Sequence, residues 1–172
     1  IRNHHRGLQC WHLSLNIPHS GDRIEGLAPV VVAVHRQKHL VLKLLEAGEA
    51  VLYAGIALSR AGNRIGDISN AIQREIERHG RYGIVREYVG HGIGRKLHEQ
   101  PSVPNWGPPD RGMALRENMA IAIEPMVNLG THETVLMGDD WTVKTADASP
   151  SVHFEHTVII TDGEPIITTK VE

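Results

Sequence analysis

Two glutamates stand inside runs that otherwise ask to be buried. Ile121-Ala122-Ile123-Glu124-Pro125-Met126 and Phe154-Glu155-His156-Thr157-Val158-Ile159-Ile160 both read as apolar, β-branched strand with a carboxylate in the middle. An ionised carboxylate is expensive to bury unless it is paired or bound to a cation. A third cluster has the same character: His91 lies between glycines in Val89-Gly90-His91-Gly92-Ile93-Gly94, with His98 and Glu99 following. Together His91, Glu124 and Glu155 make a nitrogen and oxygen shell that suits Zn, Mn, Co or Fe better than Ca. The glycines beside His91 are expected to let backbone approach a metal or substrate closely. His153 and His156 flank Glu155 on mixed faces and read as structural or supporting residues. Taken singly, each of these residues also has a plainer reading, because strand alternation alone leaves either glutamate free to face solvent. Asp139-Asp140 and Arg95-Lys96 read as solvated pairs.

The elements that carry these clusters begin near residue 40. Leu40, Leu44, Ala47, Val51, Ala54 and Leu58 trace one face of an amphipathic helix, weakened slightly by Gly48. A second helix, capped by Asp67 or Ser69, carries the stripe Ile68, Ile72, Ile76 and stops at Gly80. Strands are expected over 82–89, 119–127, 133–137, 141–145, 152–161 and 165–169, with Gly138-Asp139-Asp140 as a hairpin turn. Helices followed by antiparallel strands predict an α+β fold. Residues 1–40 differ in kind: they hold six of the twelve His and only two acids, Asp22 and Glu25, and follow no clear period apart from a short run, Leu27 to Val34, that reads as a buried strand. The chain therefore divides into a degenerate or out-of-frame-like segment 1–40 and a metal-binding part 41–172, and its start at Ile1 rather than Met fits a fragment.

Composition narrows the setting. At 172 residues, with 41% hydrophobic and 22% charged, the chain is one globular domain by length and neither disordered nor membrane-class. The lone Cys10 has no internal disulfide partner, which fits a cytoplasmic compartment. No apolar run approaches the ~20 residues of a membrane span, and the first residues lack a signal-peptide core. A net charge of −2 argues against a nucleic-acid partner. The chain is expected to act as a monomer.

GHGIGRKLHEQPSVPNWG, NMAIAIEPMVN and HFEHTVIITDGEPIITT occur in that order, with 33 residues from His91 to Glu124 and 31 more to Glu155. This ordered set resembles the C-terminal signatures of type I methionine aminopeptidases, and GNRIGDISNAIQ resembles the helix segment that precedes them. The resemblance covers about residues 42–170. Prolidase-like relatives share the GHGIG and carboxylate pattern, but Glu124 is followed here by Pro-Met-Val-Asn, as in the aminopeptidases.

The resemblance implies a pita-bread α+β fold with its N-terminal half incomplete. It implies His91 and Glu124 on one metal ion, Glu155 bridging to a second, His98 as the catalytic histidine that contacts the peptide, and Trp141 lining the methionine pocket. It further implies metal-assisted hydrolysis that removes the initiator methionine, with N-terminal Met peptides of nascent proteins as substrates and the ribosome as a partner. The family supplies its other two ligands as aspartates about ten residues apart, upstream of the first long helix. Before Asp67 this chain has only Asp22, and Glu25 lies too near it to substitute; Asn16-Ile17-Pro18-His19 is a faint echo of the upstream substrate histidine. Three readings remain open: an out-of-frame N-terminus, a diverged paralogue or fragment acting as a peptide- or ribosome-binding module, and an enzyme with an incomplete site. On ligand arithmetic the chain holds at most one divalent ion, on His91, Glu124 and Glu155.

Overall fold

The computed structural model describes residues 27–170, with side chains from Lys38 onward. Asp22, Glu25 and His19 lie outside these residues. Two helices come first: α1 (Leu27–Ala57) and α2 (Ile65–His79). Ten short strands follow: β1 (Gly83–Ile84), β2 (Gly90–Ile93), β3 (Glu99–Val103), β4 (Ala120–Ile123), β5 (Met126–Asn128), β6 (Thr134–Leu136), β7 (Val143–Thr145), β8 (Ser151–His153), β9 (His156–Ile159) and β10 (Ile166–Ile167). All named strand pairs are antiparallel. They form a five-stranded sheet ordered β10-β9-β4-β2-β3, a three-stranded sheet ordered β1-β5-β8, and the β6-β7 hairpin.

Leu27 to Val34, which reads as a strand in sequence, forms the first turns of α1. A short apolar run has no period of its own that separates strand from buried helix. Nothing breaks the chain between it and the amphipathic stretch, and Pro29 sits in the first turn, where a missing N–H is harmless. The helix thus runs unbroken across residue 40. Leu44, Ala47, Val51, Leu52 and Ile56 are its buried face, whereas Leu40 is exposed and Ala54 and Leu58 are only half-buried. The buried stripe includes Leu52 and Ile56 because α1 has two partners, α2 and the sheets, and needs a broader face than one row.

Gly48 and Gly55 explain how α1 lies so close to both. A Cβ on Gly48 would meet the Phe154 ring at 2.6 Å and the Val152 side chain at 2.7 Å, and one on Gly55 would meet Ile72 at 2.9 Å. The helix accepts two poor helix formers because each removes a side chain from a contact. In α2, Ile68, Ile72 and Ile76 are buried as the stripe predicts, and the helix ends at Gly80, whose φ of 134° is left-handed-region backbone. Asp67 acts from inside the first turn: its carboxylate accepts from the Arg64 N–H at 2.7 Å and the Asp110 N–H at 2.9 Å. Ser69 lies within the helix and its hydroxyl donates to the Ile65 carbonyl.

Two of the expected long strands are each split between sheets. Residues 119–127 divide into β4 and β5 at Glu124-Pro125, and 152–161 divides into β8 and β9 at Phe154-Glu155. The register nevertheless runs on without a slip. Ala120 pairs with Ile159 and Ile123 with His156 in one sheet; Met126 pairs with His153 and Asn128 with Ser151 in the other. Between them the Phe154 N–H donates to the Pro125 carbonyl at 3.3 Å. One two-stranded ribbon therefore passes through both sheets, and β1 joins one end of it while β2 joins the other. Strand β3 forms where the sequence predicts none, because Glu99-Gln100-Pro101-Ser102-Val103 is polar and carries a proline.

Overpacking sets a test of the helix seat. Gly48→Val is expected to destabilise the chain by roughly 1–3 kcal/mol through clashes with Val152 and Phe154, measured by urea unfolding. A second test concerns His156, buried in β9 with its ring edge toward Tyr53. Burial, and then the charge of Lys170, holds its pKa below the usual 6.5. The unfolded chain therefore takes up a proton as pH falls through that value while the folded chain does not, so stability is full above it and declines below. The metal-free chain should be less stable at pH 5.5 than at pH 7.5, and His156→Gln should flatten that slope, as read by denaturant midpoints.

Candidate metal centre

The point where the ribbon changes sheets is where the two glutamates meet. With Ile123 opposite His156 and Met126 opposite His153, the continuing register sets Glu124 against Glu155. One oxygen of each, together with a ring nitrogen of His153, lie within 4.8 Å of one another. Opposed like charges on a sheet repel, so this arrangement favours a positive partner. The sequence pattern sets both carboxylates mid-strand; in the fold both occupy the break, where the ladder lapses and a side chain is free to turn into the seam.

Histidines lie on both sides of Glu124. His91 Nε2 is 3.5 Å from its Oε1, and His153 Nε2 is 3.4 Å from its Oε2. The other ring nitrogen of His91, Nδ1, sits 3.0 Å from the Gly92 carbonyl. A carbonyl only accepts, so Nδ1 carries a hydrogen and Nε2 is the nitrogen that faces the carboxylate side. His153 Nε2 is itself buried and has no hydrogen-bond partner. A lone pair beside an anion is satisfied by a proton or a cation between them. The donor set, imidazole with carboxylate, is the chemistry of a divalent transition ion, and the residues fit one.

The supports of this cluster come from the sheet. The glycines flanking His91, expected to make room for a metal or substrate, instead face neighbouring strands. A Cβ on Gly90 would run into the Ala122 carbonyl of β4, and one on Gly92 into the Gln100 carbonyl of β3. The register shift between His91 and Gly92 against β3 is the same crowding seen in the pairing. Asn105, fully buried, donates from Nδ2 to the Tyr88 carbonyl at 3.3 Å and the Glu124 carbonyl at 3.5 Å, tying the Glu124 backbone to the approach of β2. No sequence signal marks Asn105.

The structure brings His98 beside His91, with ring centroids 4.1 Å apart and planes at 61°, on an exposed loop. Trp141 differs in character: it follows the Asp139-Asp140 turn of the β6-β7 hairpin and is 85% exposed. Asp139 caps that turn, its carboxyl held down at about 2 by hydrogen bonds from the Thr142 hydroxyl, the Thr142 N–H and the Trp141 N–H. His156 points into the core, whereas His153, which the sequence groups with it, joins the cluster. The signal that separates them is alternation: residues 151, 153 and 155 are half-buried, and 152, 154 and 156 are buried. His153 therefore shares the face of Glu155, and His156 does not.

The model of metallopeptidase family M24 matches residues 29–162. A methionine aminopeptidase of Borreliella burgdorferi is 52% identical over 130 residues, 75% of this chain and 51% of that protein. Methionine aminopeptidase 1 of Bacillus subtilis is 46% identical over 129 residues, 75% of this chain and 52% of that protein. The chain thus spans about half the length of the curated relatives it matches. Among solved structures, methionine aminopeptidase from Thermotoga maritima superposes with a TM-score of 0.74 at 43% identity, covering 77% of this chain and 53% of that one. Prolidase from Pyrococcus horikoshii, at 23% identity and a TM-score of 0.53, covers 80% of this chain and 33% of that one and shares the fold alone. The α+β architecture is the pita-bread fold, and on the match over residues 29–162 the chain belongs to metallopeptidase family M24.

Proposed function

We propose that this chain is the metal-binding part of an aminopeptidase that removes the initiator methionine from nascent proteins in the cytoplasm. The observation that carries the reading is the opposed pair Glu124 and Glu155, flanked by imidazoles at the sheet seam, in a chain 52% identical to a methionine aminopeptidase over most of its length. Glu124 and Glu155 would hold the ion, with an imidazole nitrogen from the histidines beside Glu124, of which His91 is the one the resemblance assigns. When bound, a divalent ion such as Co, Mn, Fe or Zn lowers the pKa of a coordinated water and polarises the scissile carbonyl.

The protein's own groups do the rest. The two carboxylates make a negative seam that attracts the free N-terminal ammonium of a peptide. His98, exposed and packed against His91, would donate a hydrogen bond to the peptide carbonyl as negative charge develops on its oxygen. Trp141, exposed on the β6-β7 hairpin, would line the pocket for the methionine side chain, as the resemblance assigns it. At most one tight ion per chain is our reading, since only Asp22 precedes Asp67 as a candidate for the aspartate pair. That same shortage favours the second reading, a catalytically inert module that binds nascent peptides at the ribosome. Among the described residues no helix is long and apolar enough to cross a membrane.

Turnover separates the two readings. With Co or Mn added, the chain should release free Met from Met-Ala-initiated peptides, and a chelator should abolish the release; inert protein that still retains such peptides would instead establish the binding module. Independently of turnover, Glu155→Gln should raise the melting temperature of the metal-free chain, removing a cross-strand repulsion of roughly 0.2–1 kcal/mol. The same variant should lose the stabilisation that a divalent ion gives the parent, about 2.7 kcal/mol at a hundredfold excess over Kd.

A further inference from the structure

We infer that His153 is a ligand of the ion held by Glu124 and Glu155, a second imidazole beside the one that the resemblance assigns to His91. The inference rests on the metallopeptidase reading above and deepens it. Four observations carry it. The three side chains offer ligand atoms that lie mutually within 4.8 Å. His153 Nε2 is buried and unpartnered. It stands 3.4 Å from Glu124 Oε2, the separation of two neighbouring ligands when each binds one tetrahedral ion at about 2.0–2.2 Å. Its backbone is fixed by pairing with Met126, so the ring projects from β8 on the same face as Glu155.

His91 is placed differently. It meets Glu124 through the other oxygen, Oε1, and is not part of the mutually close group. Its ring packs on that of His98. Each imidazole thus faces its own oxygen of Glu124, at 3.4 Å for His153 and 3.5 Å for His91. Imidazole nitrogens with two carboxylates make a donor set that suits a divalent transition ion.

The test is metal binding by the intact chain, read without turnover. Co is titrated by calorimetry and by its visible absorption, and coupled imidazole nitrogens are counted by pulsed electron resonance with Cu, for the parent, His153→Gln, His153→Ala and His91→Ala. Circular dichroism and melting temperature report whether each variant folds, and the glutamine is the variant of similar size should the alanine not fold. The expected result is that His153→Gln weakens Co binding at least tenfold, about 1.4 kcal/mol, and removes one coupled imidazole, while the imidazole that His91→Ala removes is a different one. Folded His153→Gln that binds Co as the parent does, with the imidazole count unchanged, overturns the inference and leaves the metallopeptidase reading standing. A folded parent that binds no Co overturns both.

Discussion

The opposition of Glu124 and Glu155 is the constraint around which the rest of the chain is arranged. Two carboxylates on facing strands repel, and a strand pair carrying them would ordinarily slip or turn them to solvent. Here the register is pinned on both sides of the pair, by β2 and β10 in one sheet and β1 in the other. The apolar residues either side, Ile121, Ile123, Val127, Val152, Phe154 and Val158, are buried and leave no alternative register that keeps them dry. Burial of these residues holds the carboxylates together, and a bound cation would resolve the repulsion that burial enforces.

The helices serve the same end from behind the sheets. α1 reaches Val152 and Phe154 through Gly48, and α2 supports α1 through Ile72 against Gly55. The residue next to the seam, Phe154, is thus clamped between its ribbon partner Pro125 and the helix. Precision at a site of this kind comes from rigid elements, and His98, beside His91, stands on a loop instead.

Much of this is legible from the residues because the signals are local. The stripe Ile68, Ile72, Ile76 with Gly80 marks α2, and Gly138-Asp139-Asp140 marks the β6-β7 hairpin. The apolar context of Glu124 and Glu155 singles them out on sequence alone. What stays hidden depends on pairing between distant segments. The switch of sheets at Glu124-Pro125 breaks a run that is uniformly strand-like, and only Pro125, with no N–H for a ladder, hints at it. Gly90 and Gly92 look like room for a ligand because the carbonyls they make room for, on Ala122 and Gln100, come from other strands. His153 escapes a reading that takes the neighbours of Glu155 together; only the two-residue step of the strand sets it on the glutamate's face.

A ribbon shared by two sheets also decides where the chain can change in length. The register of residues 120–128 against 151–159 is set by β1, β2 and the core, not by the connection between its strands. Residues 129–150, including the exposed β6-β7 hairpin, hang from one end of it and close a loop whose entropy grows only slowly with added residues. Insertions and deletions in relatives of this chain should therefore gather at that hairpin, while the ribbon itself tolerates none: a single residue added to either strand would turn its glutamate to the opposite face.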